Sequence, residues 1–90
     1  MTNLSDIRHL INSDNIEDAI SALNNYITEN PKSDEAYYLL GNMYRKSNDW
    51  RNAIRNYCEA MELNPNSQAK DAYEACIEIL NFYNTDLFNP

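Results

Sequence analysis

Two Asn-Pro pairs, 34 residues apart, constrain the fold of this chain more than any other feature. Pro31 and Pro65 mark the same position in two successive units, and the residues before them match in the same register. The matching pairs are Ala19 with Ala53, Ile20 with Ile54, Asn30 with Asn64, and the bulky apolar exchanges Ile16 with Trp50 and Leu23 with Tyr57. A repeat of this length is typical of an α-solenoid. The sequence therefore predicts an all-α fold of stacked helical hairpins.

Composition limits the possible partners of the chain. Its 90 residues are enough for one domain, and 14 Asp and Glu residues against seven Lys and Arg give a net charge of −7. Nucleic acid would have to approach against this negative field, so we expect no nucleic-acid partner. The sequence shows neither a signal-peptide pattern nor an apolar stretch long enough to span a bilayer. We therefore expect a cytoplasmic protein without membrane contact.

No metal, cofactor or catalytic site is predicted. Cys58, Cys76 and the single histidine, His9, are far apart in sequence, and two cysteines with one histidine are too few for a metal site. In a chain of this size the two cysteines are expected to act as small buried apolar residues. His9 has no acidic or nucleophilic companion at a suitable spacing, and a glycine-rich phosphate loop is missing. We therefore expect no enzymatic activity.

Apolar periodicity predicts five helices. Between Asp34 and Ser47 the apolar residues follow the i, i+3, i+4, i+7 spacing of an amphipathic helix. The same spacing predicts the other four helices, at about Leu4–Asn12, at about Ile16–Thr28, between Asp49 and Pro65, and at about Ser67–Tyr83. Asn15, Ser33 and Asp49 precede three of these helices and are the predicted N-caps.

One stretch matches a known repeat motif at every position. The matching residues are Tyr37, Leu40, Gly41, Tyr44, Ala53, Tyr57, Ala60 and Pro65. They fall at the spacing of the tetratricopeptide repeat, so the chain resembles that family and looks like one of its small bacterial members. We expect Gly41 and Ala53 to face each other where the two helices cross most closely. The motif positions of Tyr37, Tyr44 and Tyr57 imply roles in core packing.

The resemblance divides the single domain into two repeats, a capping helix and a tail. Residues 34–67 form the well-matched second repeat, and residues 1–33 form a degenerate first repeat. In the first repeat Ile7 replaces the glycine of the motif, and Tyr26 replaces its second alanine.

Residues 68–83 are predicted to be a capping helix. Asp71, Glu74 and Glu78 stand where a further hairpin would need apolar side chains, and burying these acids would be costly. The helix is therefore expected to end the array with a solvated face. In the remaining tail, residues 84–90, the apolar Leu87 and Phe88 could cover this helix or dock on a second copy.

In this family the first helix of each repeat lines a groove that holds an extended peptide or a helix of a partner protein. The resemblance implies a partner-binding groove formed by Arg8, Asn12, Glu35, Tyr38, Asn42, Arg45, Lys46 and Tyr73, with Leu4, Ile11, Ala69 and Cys76 beside them. Chaperone-binding members grip a C-terminal carboxylate with a set of Lys and Asn residues. Of that set only Asn42 is present, so such a clamp is not expected.

Two functions remain open on the sequence. The leading one is a non-enzymatic module that binds a segment of another protein, and the alternative is a self-associating scaffold, such as a homodimer. The basic residues Arg8, Arg45 and Lys46 are either groove residues or ordinary solvated helix residues. Asn42 either binds a partner or forms a hydrogen bond within the stack.

Overall fold

The structure, a computed structural model, describes residues 3–83, and these form five α-helices. They are α1 (Leu4–Asn12), α2 (Ile16–Glu29), α3 (Asp34–Lys46), α4 (Trp50–Leu63) and α5 (Ala69–Tyr83). Each helix packs on the next one along the chain, so two hairpins and a single C-terminal helix form one row. The predicted all-α solenoid of two hairpins plus one further helix is confirmed.

All three predicted residues occupy N-cap positions, and two of them make a capping hydrogen bond with the side chain. The Ser33 hydroxyl accepts a hydrogen bond from the backbone N–H of Ala36 at 3.2 Å, at the start of α3. Asp49 Oδ1 accepts one from the backbone N–H of Asn52 at 3.3 Å, at the start of α4. Each contact satisfies a backbone donor that the first turn of a helix leaves without a partner.

Asn15 occupies the predicted N-cap position of α2, but its side chain does not cap the helix. Asn15 precedes α2 but makes no capping hydrogen bond, because its side-chain Nδ2 donates instead to Ser13 Oγ at 3.1 Å. A cap that the sequence analysis did not identify occurs at α1, where Asn3 Oδ1 accepts from the backbone N–H of Asp6 at 2.9 Å. The N-terminus of α5 also differs from the prediction, since this helix begins at Ala69 rather than Ser67.

The backbone conformation of the tight turns repeats after 34 residues, as the sequence does. Asp14 and Asn48, which are one repeat apart, have φ angles of 64° and 62°. These are the non-glycine residues with positive φ among the described residues. Asp and Asn tolerate this left-handed conformation better than most residues do. Both hairpins are therefore closed by the same type of turn.

Two buried clusters hold the row of helices together. The first, between α1, α2 and α3, contains Ile7, Ala19, Leu23, Ala36, Leu39, Leu40 and Met43. The second, between α4 and α5, contains Ala53, Tyr57, Ala60, Ala69 and Cys76. Tyr38 and Tyr44 pack against both clusters. Helix α3 is therefore the element through which the two cores are connected.

Gly41 lies at a close approach inside the second hairpin, as expected, and the group beside it is an aromatic ring. A Cβ atom added to Gly41 would lie 2.6 Å from both Cδ1 and Cε1 of the Tyr57 ring. The group nearest to Gly41 is therefore this ring, rather than Ala53. Tyr57 is fully buried, and the missing side chain at Gly41 provides the space that the aromatic ring needs.

Helix α5 has one buried side and one solvated side. Ala69 and Cys76 are fully buried against α4, as expected for a small apolar cysteine, whereas Asp71, Glu74 and Glu78 are exposed. Burial raises the pKa of the Cys76 thiol. Among the described helices, none is long and apolar enough to cross a membrane. The tail residues Leu87 and Phe88 lie outside the described residues.

Candidate functional site

The surface along α3 contains two depressions that share Leu39 as a lining residue. The first, at the N-terminal end of α3, has a volume of about 360 Å³ and is lined by Arg8, Asp34, Glu35, Tyr38, Leu39, Asn64, Asn66, Ser67 and Gln68. The second, at its C-terminal end, has a volume of about 450 Å³ and is lined by Ile11, Leu39, Asn42, Met43, Arg45, Lys46 and Trp50. We call the two depressions together the α3 groove.

An ion pair lies at the N-terminal depression. The Arg8 guanidinium of α1 contacts the Glu35 carboxylate of α3, and both side chains are about half exposed, at 49% and 48%. An exposed pair of this kind contributes about 0–1 kcal/mol to stability, so its main effect is to neutralise both charges locally. Asp34, beside it, accepts a hydrogen bond from Asn64 Nδ2 at 3.2 Å, which links the start of α3 to the end of α4.

Tyr38 lines the N-terminal depression with a ring that is already held in place. Its centroid lies 6.1 Å from that of Tyr57, with the two ring planes tilted by 39°. Aromatic pairs at this separation and tilt attract each other. Tyr38 is partly exposed, so it offers a large and ordered surface to a ligand.

Asn42 is part of the internal packing of the hairpin. The Tyr57 hydroxyl donates a hydrogen bond to Asn42 Oδ1 at 2.5 Å. Burial raises the pKa of Tyr57 to about 12, with a further increase from Cys76, whereas a hydrogen bond from Arg45 opposes the shift. The hydroxyl therefore stays protonated at neutral pH and keeps donating to Asn42.

Arg45 lies over an aromatic ring at the C-terminal depression. Its guanidinium carbon lies 5.9 Å from the centroid of the Trp50 ring, within the range of a cation–π contact. The guanidinium also lies close enough to the Tyr57 hydroxyl to influence its pKa by hydrogen bonding. Lys46 follows it and is exposed. Among the lining residues of this depression there are two cations and no carboxylate.

The structure brings most of the predicted groove residues together, but not all of them. Arg8, Glu35 and Tyr38 meet at the N-terminal depression, and Asn42, Arg45 and Lys46 meet at the C-terminal one. Asn12 and Tyr73 line neither depression. Ala69 and Cys76 were expected beside the groove, but they are fully buried and cannot contact a ligand. Leu4 is packed against the first core cluster.

Several lining residues of the groove were missed by the sequence analysis, and Leu39 and Trp50 are the most informative of them. Leu39 was not among the predicted groove residues, although it separates the two depressions. Trp50, which matches Ile16 of the first repeat, packs against the second buried cluster and also lines the C-terminal depression. The concentration of Arg45, Lys46 and Arg51 around the single tryptophan was the available signal for a surface role.

Within residues 3–83, no group of three or more His, Cys, Asp and Glu side chains could hold a metal ion. The polar groups of the groove are amides, hydroxyls and charged side chains, and all of the charged ones except Arg8 lie on α3. Groups of these kinds can bind a peptide backbone through hydrogen bonds and a side chain through charge or apolar contact.

Comparisons with known proteins agree with the repeat architecture. The model of the tetratricopeptide repeat family matches residues 34–67. The solution NMR structure of the Bacteroides fragilis protein BF1650 is similar to this chain, with 49% sequence identity and a TM-score of 0.87. That similarity covers 99% of this chain and 91% of the other. The search of curated proteins found no match.

Proposed function

Because the chain belongs to the tetratricopeptide repeat family, whose members are generally interaction modules, we propose that it binds an extended segment of a partner protein in the α3 groove. The observation that carries the proposal is the pair of depressions, 360 and 450 Å³ in volume, that meet at Leu39. Each is large enough for one side chain of a ligand. A segment that fills both would cross α3 in an extended conformation.

Ordered side chains on both sides of Leu39 support this role. Tyr38 is held against Tyr57, and Arg45 is held against Trp50. Side chains that are already fixed lose little conformational entropy when a ligand binds, which favours affinity. Asn42 uses its side-chain oxygen for Tyr57, so its amide group is left to donate to a carbonyl of the bound segment.

The distribution of charge suggests how such a segment is oriented. Asp34 and Glu35 lie at the N-terminal depression, where Arg8 is already paired, while Arg45 and Lys46 lie at the C-terminal one. An acidic residue of the ligand would therefore be placed near Arg45, since a fixed guanidinium binds a carboxylate well. The opposite end of the ligand would carry neutral or basic residues.

The proposal also includes the setting of the protein. It is a non-catalytic module of the bacterial cytoplasm, and its ligand is a protein rather than nucleic acid or a membrane. The net charge of −7 supports this choice, because phosphate groups of nucleic acid or anionic lipid would be repelled.

The test is to select binding peptides from a random library and to measure their affinity for variants by fluorescence polarisation. Tyr38→Ala removes the aromatic wall of the N-terminal depression, and Arg45→Ala removes the fixed cation of the C-terminal one. We expect each substitution to weaken binding by about tenfold or more, as losses of aromatic and arginine contacts often do. Arg55→Ala is the matched control, because Arg55 is exposed on α4 and lines neither depression.

Asn42 is unsuitable as a first test residue, because its replacement also removes the hydrogen bond from Tyr57. Unchanged affinity for both Tyr38→Ala and Arg45→Ala, with folded variants, would refute the groove as the binding site. A loss that appears equally in Arg55→Ala would also count against it. Circular dichroism of each variant shows whether the fold is retained.

A further inference from the structure

The edge of the molecule formed by the hairpin turns carries opposite charges in the two repeats. On the first repeat, Asp14, Glu17 and Asp18 are exposed. On the second, Lys46 and Arg51 are exposed, and Arg51 is the residue 34 positions after Glu17. We call these the acidic patch and the basic patch.

We propose that two copies of the chain associate through this edge, with the acidic patch of each copy on the basic patch of the other. A two-fold axis midway between the patches exchanges them, whatever their separation. The contact between an acidic and a basic patch then forms twice in one closed, isologous dimer. The partner is therefore a second copy, and the dimer does not grow into a filament.

The position of Arg51 supports the proposed dimer contact, because a basic residue there does not stabilise its own helix. The positive end of the helix dipole disfavours a cation in the first turn. Helix α2 follows this rule with Glu17 and Asp18, whereas the first turn of α4 contains no acidic residue and carries Arg51. The basic side chain thus stands at a helix start where an acid would stabilise the monomer.

Each patch surrounds a partly exposed apolar residue. Ile16 lies in a depression of about 330 Å³ with the three acids of the acidic patch. Its repeat equivalent, Trp50, lies beside Lys46 in the C-terminal depression. Two-fold pairing brings Trp50 of one copy to Ile16 of the other, twice in the dimer. An apolar centre within a charged rim is the usual organisation of a specific protein interface.

Asp49 lies next to the basic patch in sequence, and both of its carboxylate oxygens already accept hydrogen bonds from Asn52. Its Oδ1 accepts from the backbone N–H of Asn52 at 3.3 Å, and its Oδ2 accepts from Asn52 Nδ2 at 2.7 Å. These bonds hold the carboxylate at the N-terminus of α4, where the helix dipole stabilises it. The equivalent residue in the acidic patch is the neutral Asn15.

The proposed interface includes Lys46 and Trp50, which also line the C-terminal depression, so a bound peptide and a second copy would compete for them. Tyr38 and the N-terminal depression lie outside both patches, so Tyr38→Ala tests the groove separately from the dimer. The experiment is reciprocal charge reversal, followed by sedimentation equilibrium over a hundredfold range of concentration. One variant carries Glu17→Lys with Asp18→Lys, and the other carries Lys46→Glu with Arg51→Glu. We expect the native chain to dimerise, each variant alone to dissociate at least tenfold more readily, and an equimolar mixture to form the heterodimer.

The net charges of the two variants exclude a non-specific explanation of such a rescue. Each substitution changes the net charge by two units and each variant carries two substitutions. The net charge of −7 therefore becomes −3 in the first variant and −11 in the second. Both variants remain negative and repel each other at long range, so only local complementarity restores association. The matched controls are Glu74→Lys with Glu78→Lys, and Lys32→Glu with Lys70→Glu. These residues are exposed outside the patches, and dimerisation should be retained.

Trp50 provides a second readout because it is the single tryptophan of the chain. Its fluorescence emission should shift to shorter wavelength over the concentration range in which the dimer forms, since the ring becomes covered. Three results would overturn the proposal. They are a native chain that stays monomeric throughout, a mixture of the two variants that stays monomeric, and a dimer whose formation leaves the Trp50 emission unchanged.

Discussion

Replacing Gly41 by alanine should destabilise the protein, although alanine is the better helix former. The added Cβ would lie 2.6 Å from two carbons of the Tyr57 ring. Carbon atoms normally approach to about 3.5–4.0 Å, so the ring and the helix must separate by roughly 1 Å. Tyr57 has little freedom to move, because it is fully buried and its hydroxyl is bonded to Asn42.

The expected size of the effect follows from three contributions. Overpacking a well-packed site costs about 1–3 kcal/mol. Weakening the hydrogen bond between Tyr57 and Asn42 adds about 1 kcal/mol, and the helix propensity of alanine returns about 1 kcal/mol. The net loss is about 1–3 kcal/mol, and in a domain of this size each 1 kcal/mol lowers Tm by about 4–8 °C.

Thermal unfolding followed by circular dichroism measures this loss, and a double-mutant cycle assigns its cause. In a Tyr57→Leu background the ring is absent, so Gly41→Ala should become stabilising by up to about 1 kcal/mol. Sucrose in every sample keeps the weakened background folded during the comparison. The reasoning is refuted if Gly41→Ala raises Tm in the native chain, or if it costs the same with and without the Tyr57 ring.

Three further predictions concern caps, pH and a turn. Ser33→Ala should lower the free energy of unfolding by about 1 kcal/mol in urea titrations, because the N–H of Ala36 loses its partner, whereas Asn15→Ala should leave it unchanged within about 0.5 kcal/mol. The free energy of unfolding should decline as pH rises from about 10 to about 12, because the pKa of Tyr57 is about 12 in the folded protein and about 10 in the unfolded chain. Thermal unfolding of Tyr57→Phe should show a smaller decline over the same pH range. At Asn48, where φ is 62°, replacement by alanine should cost about 1 kcal/mol in urea titrations, and replacement by glycine should cost less.

The fold could be predicted because repeat proteins encode the same contacts twice. The match of Ala19 with Ala53, and of Pro31 with Pro65, gives the length of one hairpin as 34 residues without any prediction of its helices. Within each hairpin, most of the helix ends predicted from apolar spacing lie within two residues of the ends in the structure. Such patterns report which face of a helix is buried, and in a solenoid the neighbours of that face are the adjacent helices.

Individual side-chain partners were harder to predict, because they depend on local competition and on exact helix positions. Asn15 has the residue type and the position of an N-cap, but its side-chain amide donates to Ser13 and makes no capping hydrogen bond. Gly41 was correctly expected at a close approach, yet the group beside it is the Tyr57 ring. A motif identifies where space is limited, and the path of both helices decides which side chain fills that space.

The candidate groove was predicted in part for the same reason. Tyr38, Arg45 and Lys46 were implied by the resemblance to the tetratricopeptide repeat family, in which the first helix of each repeat lines the groove, and all three line a depression. Trp50 comes from the start of the next helix and reaches the groove only because the turn before it is tight. The pairing of Arg8 with Glu35 depends on the angle between α1 and α3, which no single-helix pattern contains.

The most direct test of the proposed interaction surface is a ¹H–¹⁵N NMR titration of the native chain with a library-selected peptide. The largest amide shift changes should lie in α3, between Glu35 and Lys46, and should extend to Arg8 and Ile11 of α1. Shift changes confined to α2 and to the exposed acidic side of α5 would place binding elsewhere and contradict the α3 groove as the site of partner recognition.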